Sequence, residues 1–173
     1  MLPRLIHQYG AEQILFMDES GVNSNEVARY GWSPRSERCK ALIPGGHGKR
    51  ISLIGAVRMT SSFKFLAPVI FDGYCDRSVF GSWLEHLSEA LPKYENGDMK
   101  QHVLILDNAS FHKGKQIESM AKAYNIRLFY LPAYCPHLNP VERCWSVLKT
   151  KLRQLRSKGF MWDECFDQAF FQM

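Results

Sequence analysis

Residues 102–113, His102-Val103-Leu104-Ile105-Leu106-Asp107-Asn108-Ala109-Ser110-Phe111-His112-Lys113, hold an apolar run that ends on an acid. Four consecutive aliphatic residues bounded by polar ones read as a strand buried on both faces, as in a sheet covered by helices on either side. Residues 14–18, Ile14-Leu15-Phe16-Met17-Asp18, repeat the pattern. Two strands that each close on an aspartate suggest a sheet whose strand ends gather acids, and carboxyl ends of strands are where ligands collect in α/β sheets.

The rest of the chain fits around these runs. Residues 51–59 and 63–71 are β-rich, with Thr60-Ser61-Ser62 as a hairpin turn between them. Residues 76–91 carry Val79, Trp83, Leu84 and Leu87 at helical spacing before Pro92. Residues 113–124 read as a helix and 126–131 as a further strand. The strongest helix spans 140–158, where Val141, Trp145, Leu148, Leu152 and Leu155 form one apolar stripe. Residues 161–171 make a short closing helix. Gly21 to Gly48 reads as a long excursion rich in Gly, Pro, Ser and charge. Trp32 and Trp83 are expected to pack rather than to stack on bases. Hairpin strands followed by strand–helix alternation predict an α/β domain, a mixed sheet flanked by helices.

Composition bounds the function. The 173 residues are one domain's worth of chain. With 46% hydrophobic and 23% charged residues, disorder, collagen-like repeats and coiled coils are excluded. The balance of 22 Lys+Arg against 17 Asp+Glu, a net +5, suggests an anionic partner. Five scattered cysteines without a C-x-x-C pair argue against a disulfide framework or zinc ribbon and for a reducing, cytoplasmic setting. No apolar run approaches the roughly 20 residues of a membrane helix.

Asp18, Asp107 and Glu142 are the candidate catalytic residues. Alternation places Asp18 on the face of Ile14 and Phe16, and Asp107 on that of Val103 and Ile105. Were those strands neighbours, their carboxylates would repel without a cation, and two divalent ions would relieve the repulsion while clamping an in-line phosphoryl displacement. Oxygen-only ligands favour Mg²⁺ or Mn²⁺. Each acid also has a plainer reading. Asp18 fits a turn with Glu19-Ser20-Gly21, and Asp107-Asn108 fits a strand exit. Glu142, three residues after Asn139 with Pro140 between, fits a capping box.

Three ordered words surround these acids: Asp18-Glu19-Ser20-Gly21, the Asp107–Lys113 stretch, and Leu138-Asn139-Pro140-Val141-Glu142-Arg143-Cys144-Trp145. Between Asp107 and Glu142 lie the 34 residues 108–141. In these words and this spacing the sequence resembles the DDE transposases of the mariner superfamily, particularly its bacterial insertion-sequence branch. The resemblance covers about residues 14–158. It implies an RNase H-like, retroviral-integrase-like fold with a mixed five-stranded sheet flanked by helices. It also implies that Asp18, Asp107 and Glu142 hold two Mg²⁺ (or Mn²⁺) ions. The implied activity is hydrolysis at terminal inverted repeats, then joining of the freed 3′-hydroxyl to target DNA, commonly at TA.

Asn108, His112 and Asn139 are expected to support the acids. Lys49, Arg50, Lys113, Arg143, Lys149, Arg153 and Arg156 are the candidate DNA contacts. Among these, Lys149, Arg153 and Arg156 share a face of the last long helix with Glu142, and cations so placed would hold phosphates without base preference. The expected partner is double-stranded DNA, both inverted repeats and target, bound by a homodimer assembled on it in a bacterial, nucleoid-associated setting. Relatives carry an amino-terminal helix-turn-helix domain. Here residues 1–13 read as an amino-terminal remnant or linker before the 14–173 catalytic domain. A separate helix-turn-helix polypeptide or frameshifted upstream half is therefore expected to supply recognition. The alternatives are a non-catalytic DNA-binding or assembly module derived from a transposase, or another RNase H-like nuclease.

Overall fold

The computed structural model describes residues 2–26, 32–38, 40, 48–60, 64–94, 97, 100–133 and 135–171, without the side chains of Pro136 and Phe171. Five strands, β1 (Ile14–Asn23), β2 (Arg50–Arg58), β3 (Phe65–Asp72), β4 (His102–Leu106) and β5 (Ile126–Tyr130), form one sheet in the order β3-β2-β1-β4-β5. The pairs β1–β2 and β2–β3 are antiparallel, whereas β1–β4 and β4–β5 are parallel. The sheet is therefore mixed, as expected.

Among the described residues five α-helices flank it: α1 (Leu2–Tyr9), α2 (Arg77–Ala90), α3 (Lys115–Ala123), α4 (Val141–Ser157) and α5 (Trp162–Phe171). Burial on both sheet faces explains why β1 and β4 are continuous apolar runs rather than alternating ones. Ile14, Phe16, Val103 and Ile105 pack in one layer with Trp145, Leu148 and Leu152 of α4 and with α5. Leu15, Met17, Leu104 and Leu106 pack in the other, against Phe80, Trp83 and Leu84 of α2 and Ile117 of α3. Ends are specified locally. Asp76 accepts a hydrogen bond from the Val79 N–H at 2.9 Å, capping α2. Gly159, at φ 92°, stops α4 in the left-handed conformation that glycine adopts without a Cβ clash.

Several elements depart from the sequence reading. Strand β1 runs on to Asn23, because residues 15–23 all pair with β2, so the excursion begins later than Gly21. Residues 2–9, expected as a lead-in, are helical and bury Leu5 in the α4 layer. Trp83 packs as expected and its Nε1 donates to the Ala67 carbonyl, but Trp32 is fully exposed, since nothing among the described residues covers it. The hairpin turn expected at 60–62 falls largely outside the described residues, as does most of 39–47. Among the described residues no helix is long and apolar enough to cross a membrane.

Candidate active site

The parallel register carries two acids to the same level. Phe16 pairs with Ile105, and two residues further on stand Asp18, within β1, and Asp107, the first residue past β4. Alternation keeps both on the face covered by α4. Glu142 enters from the first turn of α4. The three acids line one cavity of about 420 Å³ together with Asn108, Leu131, Pro132, Ala133, Cys135 and Asn139.

Close seating of α4 brings Glu142 there. Gly55 is the β2 partner of Asp18, and a Cβ on it would stand 2.9 Å from Phe65 and 3.6 Å from Trp145. Without that Cβ, the Phe65 and Trp145 rings stack at 4.3 Å between centroids, over the strand beside Asp18. The start of α4 is tied down by Asn139, which is buried. Its Nδ2 donates to the Met17 carbonyl at 3.0 Å, and its Oδ1 accepts from the Val141 N–H at 3.3 Å. One side chain thus links the residue before Asp18 to the residue before Glu142.

The electrostatics are uneven. Burial, reinforced by Glu142, Glu19 and Asp107, raises the Asp18 carboxyl to about 8. Asp107 is half exposed and is lowered, mainly by His112 and also by the Ala109 N–H, which donates to its Oδ1 at 3.0 Å. His112 is fully buried, and its ring lies between two carboxylates. Nε2 is 2.7 Å from Glu19 Oε1, and Nδ1 is 2.9 Å from Asp107 Oδ1, the latter off the direction of the ring N–H. Burial alone would lower this imidazole, but Asp107 and Glu19 together raise it to about 9. Rings of Phe80 and Phe111 hold it at 4.5 and 4.4 Å.

Of the expected supporting residues, His112 and Asn139 each bond an acid or its neighbour, and Asn108 lines the cavity. Glu19 was not singled out by the sequence reading, since alternation turns it to the face opposite Asp18 and its partner lies 93 positions away. The expected DNA contacts are found in different states. Arg153 is ion-paired with Glu26 at the end of β1, its Nε donating at 2.7 Å. Arg156 donates to the Phe160 carbonyl and lies over the Trp162 ring. Lys49 pairs with Asp72 at 2.6 Å, Arg50 lies over Tyr74, and Lys113 lies over Tyr130. Arg143 is exposed and Lys149 partly so on α4. Among the described residues, no three His, Cys, Asp or Glu side chains are drawn together tightly enough to hold an ion as they stand.

The family model for DDE superfamily endonucleases matches residues 13–160. The chain is 24% identical over 150 residues to the insertion element IS630 uncharacterized 39 kDa protein of Shigella sonnei, covering 86% of this chain and 41% of that protein. It is 36% identical over 76 residues to the uncharacterized protein y4pE/y4sA of Sinorhizobium fredii, covering 44% of this chain and 50% of that one. The chain thus spans half or less of these relatives. Among solved structures, the mariner Mos1 paired-end complex with Mg superposes with a TM-score of 0.64 at 16% identity, over 86% of this chain and 44% of that one. The simian T-cell lymphotropic virus intasome gives 0.60 at 15% identity, over 92% and 47%. These likenesses identify the sheet and its helices as an RNase H-like fold shared with transposase and integrase catalytic domains. The chain belongs to the DDE superfamily endonucleases.

Proposed function

We infer that this domain cuts DNA at the inverted repeats of an insertion element and joins the resulting 3′-hydroxyl to target DNA, with TA the expected target. The observation that carries this reading is the meeting of Asp18, Asp107 and Glu142 on one cavity, with the Asp18 carboxyl raised to about 8. A cluster so disfavoured in its charged form is suited to divalent cations, and its all-oxygen donors select Mg²⁺ or Mn²⁺ over zinc. Solved Mos1 paired-end complexes with Mn and with Mg, and a Mos1 strand transfer complex, support the same assignment here. Asp18, Asp107 and Glu142 would hold two ions, the exposed Glu142 closing on them by a change of rotamer. When bound, such ions supply Lewis acidity and water activation for phosphodiester hydrolysis and transfer.

The protein's own contribution is positioning. Strand β1 holds Asp18 rigidly, Asn139 fixes the helix that presents Glu142, and His112 with Ala109 restrains Asp107. Arg143 and Lys149 flank Glu142 on α4 and would hold phosphates near the cavity. Two copies would assemble on DNA, and a helix-turn-helix segment, on this or a separate polypeptide, would read the repeats. Labelled inverted-repeat DNA incubated with Mg²⁺ or Mn²⁺ and the recognition segment tests the reading. Nicking and strand joining are expected; binding without either would leave only a DNA-binding module.

A further inference from the structure

We propose that Glu19 is a positioning residue for Asp107, acting through the buried His112 ring. The proposal rests on the reading of Asp107 as a cation ligand. Asp107 lies at the open end of β4, where a half-exposed carboxylate would otherwise sample several rotamers. Among the described residues both contacts fall on one oxygen: the Ala109 N–H donates to Oδ1 and His112 Nδ1 lies 2.9 Å from it, out of line for a hydrogen bond, which would leave Oδ2 for an incoming cation. His112 can restrain Asp107 only if its own ring is fixed. Phe80 and Phe111 confine the ring plane but supply no polar partner that would choose between its two flipped orientations. Glu19 Oε1, 2.7 Å from Nε2, makes that choice.

Adjacent residues of β1 thereby serve one site from opposite faces of the sheet. Asp18 enters the cavity directly on the α4 face, while Glu19 reaches Asp107 around the strand edge through His112 on the α2 face. In many metal sites removing a group that touches a ligand weakens metal binding by about 10- to 100-fold; here His112 touches Asp107, and Glu19 fixes His112.

The test uses wild type, Glu19→Ala and Glu19→Gln, each titrated with Mn²⁺ alone while thermal unfolding is followed. Imidazole ¹⁵N spectra are recorded in chelator to follow His112 without any ion. Glu19→Ala should raise the Mn²⁺ concentration for half-maximal stabilisation about 10-fold and broaden or split the His112 signals as the ring gains a second orientation. Glu19→Gln keeps a side-chain oxygen within reach of Nε2 but removes the charge. It should stay within about 3-fold of wild type and keep one set of His112 signals. Equal losses in both variants would mean that Glu19 acts only as a nearby charge, and an Ala variant matching wild type in both readouts would mean that it does nothing at the site. Either result overturns the proposal. If wild type itself gains no stability from Mn²⁺, the cation-site reading fails first and this proposal with it. Should Glu19→Ala fold poorly, His112→Phe, which fills the same space without ring nitrogens, carries the same Mn²⁺ expectation, and wild-type affinity in it would overturn the proposal.

Discussion

Replacing Asp18 by Asn should stabilise the cation-free domain at pH 8. The Asp18 carboxyl is raised from an ordinary 3.8 to about 8, first by burial and then by Glu142, Glu19 and Asp107. Below pH 3.8 it is protonated in both folded and unfolded chains and contributes no difference. Between pH 3.8 and 8 the unfolded chain releases a proton that the folded chain keeps, so stability falls as pH rises, by about 1.4 kcal/mol per pH unit. The full interval sets an upper bound of about 6 kcal/mol. Partial solvation at the cavity rim and relaxation of Glu142 reduce this to roughly 2–3 kcal/mol. An asparagine is nearly isosteric, carries no charge and keeps an oxygen to accept from the Glu19 N–H. For a domain of this size the gain corresponds to a Tm increase of about 4–12 °C. The assay is thermal unfolding of both proteins in chelator at pH 5 and pH 8, then at pH 8 with Mn²⁺. The Asn variant should lead by most at pH 8 without cation and lose its lead with it. An Asn variant equal to or less stable than wild type at pH 8 in chelator would refute the electrostatic reasoning.

Asp107→Asn should abolish nicking of repeat DNA while circular dichroism and DNA binding stay near wild type; retained nicking would remove Asp107 from the site. Asn139→Ala takes away buried hydrogen bonds to the Met17 carbonyl and the Val141 N–H. It should cost about 2 kcal/mol, read as a Tm drop of about 4–8 °C, with an unchanged Tm excluding the tether. Arg143→Ala combined with Lys149→Ala should weaken DNA binding and reduce the slope of log affinity against log salt by about 2; an unchanged slope would place the phosphates elsewhere. His112, raised to about 9 against an ordinary 6.5, gives stability that is complete below pH 6.5 and lost as pH rises through 9. A decline over that window should therefore persist in Asp18→Asn and vanish when His112→Phe is added to that variant, as measured by urea unfolding.

What the sequence carried was local. Apolar runs ending at Asp18 and Asp107 identified two buried strands, because burial on both faces removes alternation and leaves only length and boundary as signals. The stripe from Val141 to Leu155 identified α4 because 3.6-residue periodicity is intrinsic to a helix. The strand ends suggested that Asp18 and Asp107 could meet, and the family resemblance implied that Glu142 joins them. What sequence could not carry was the second partner of each polar side chain. Asn139 read as a cap, but its bond to Met17 spans 122 positions and depends on how α4 meets β1. Arg153 and Arg156 share a helical face with Glu142, but no local pattern shows that Glu26 and Trp162 already occupy them. Likewise, the segment 2–9 is too short and too interrupted to reveal a helix whose stability comes from burying Leu5.

The structure also bears on the plain readings of the three acids, and it does so unequally. Asp18 is not a turn residue, since β1 continues paired for five residues beyond it. Nor does it serve packing, because burial and three neighbouring carboxylates all oppose its charge. Glu142 does not close a capping box. Asn139 satisfies the Val141 N–H, and among the described residues no backbone N–H at the helix start donates to the Glu142 side chain. Asp107 alone keeps a local structural role, accepting the Ala109 N–H as strand-exit aspartates do. A fold selected only for stability would not hold a carboxyl at position 18, where a neutral residue of the same shape removes an electrostatic cost. Groups held against such a cost are concentrated where function requires them. Asp18 is therefore the strongest single structural argument that the cavity acts on a substrate, because burial and three neighbouring carboxylates all oppose its charge.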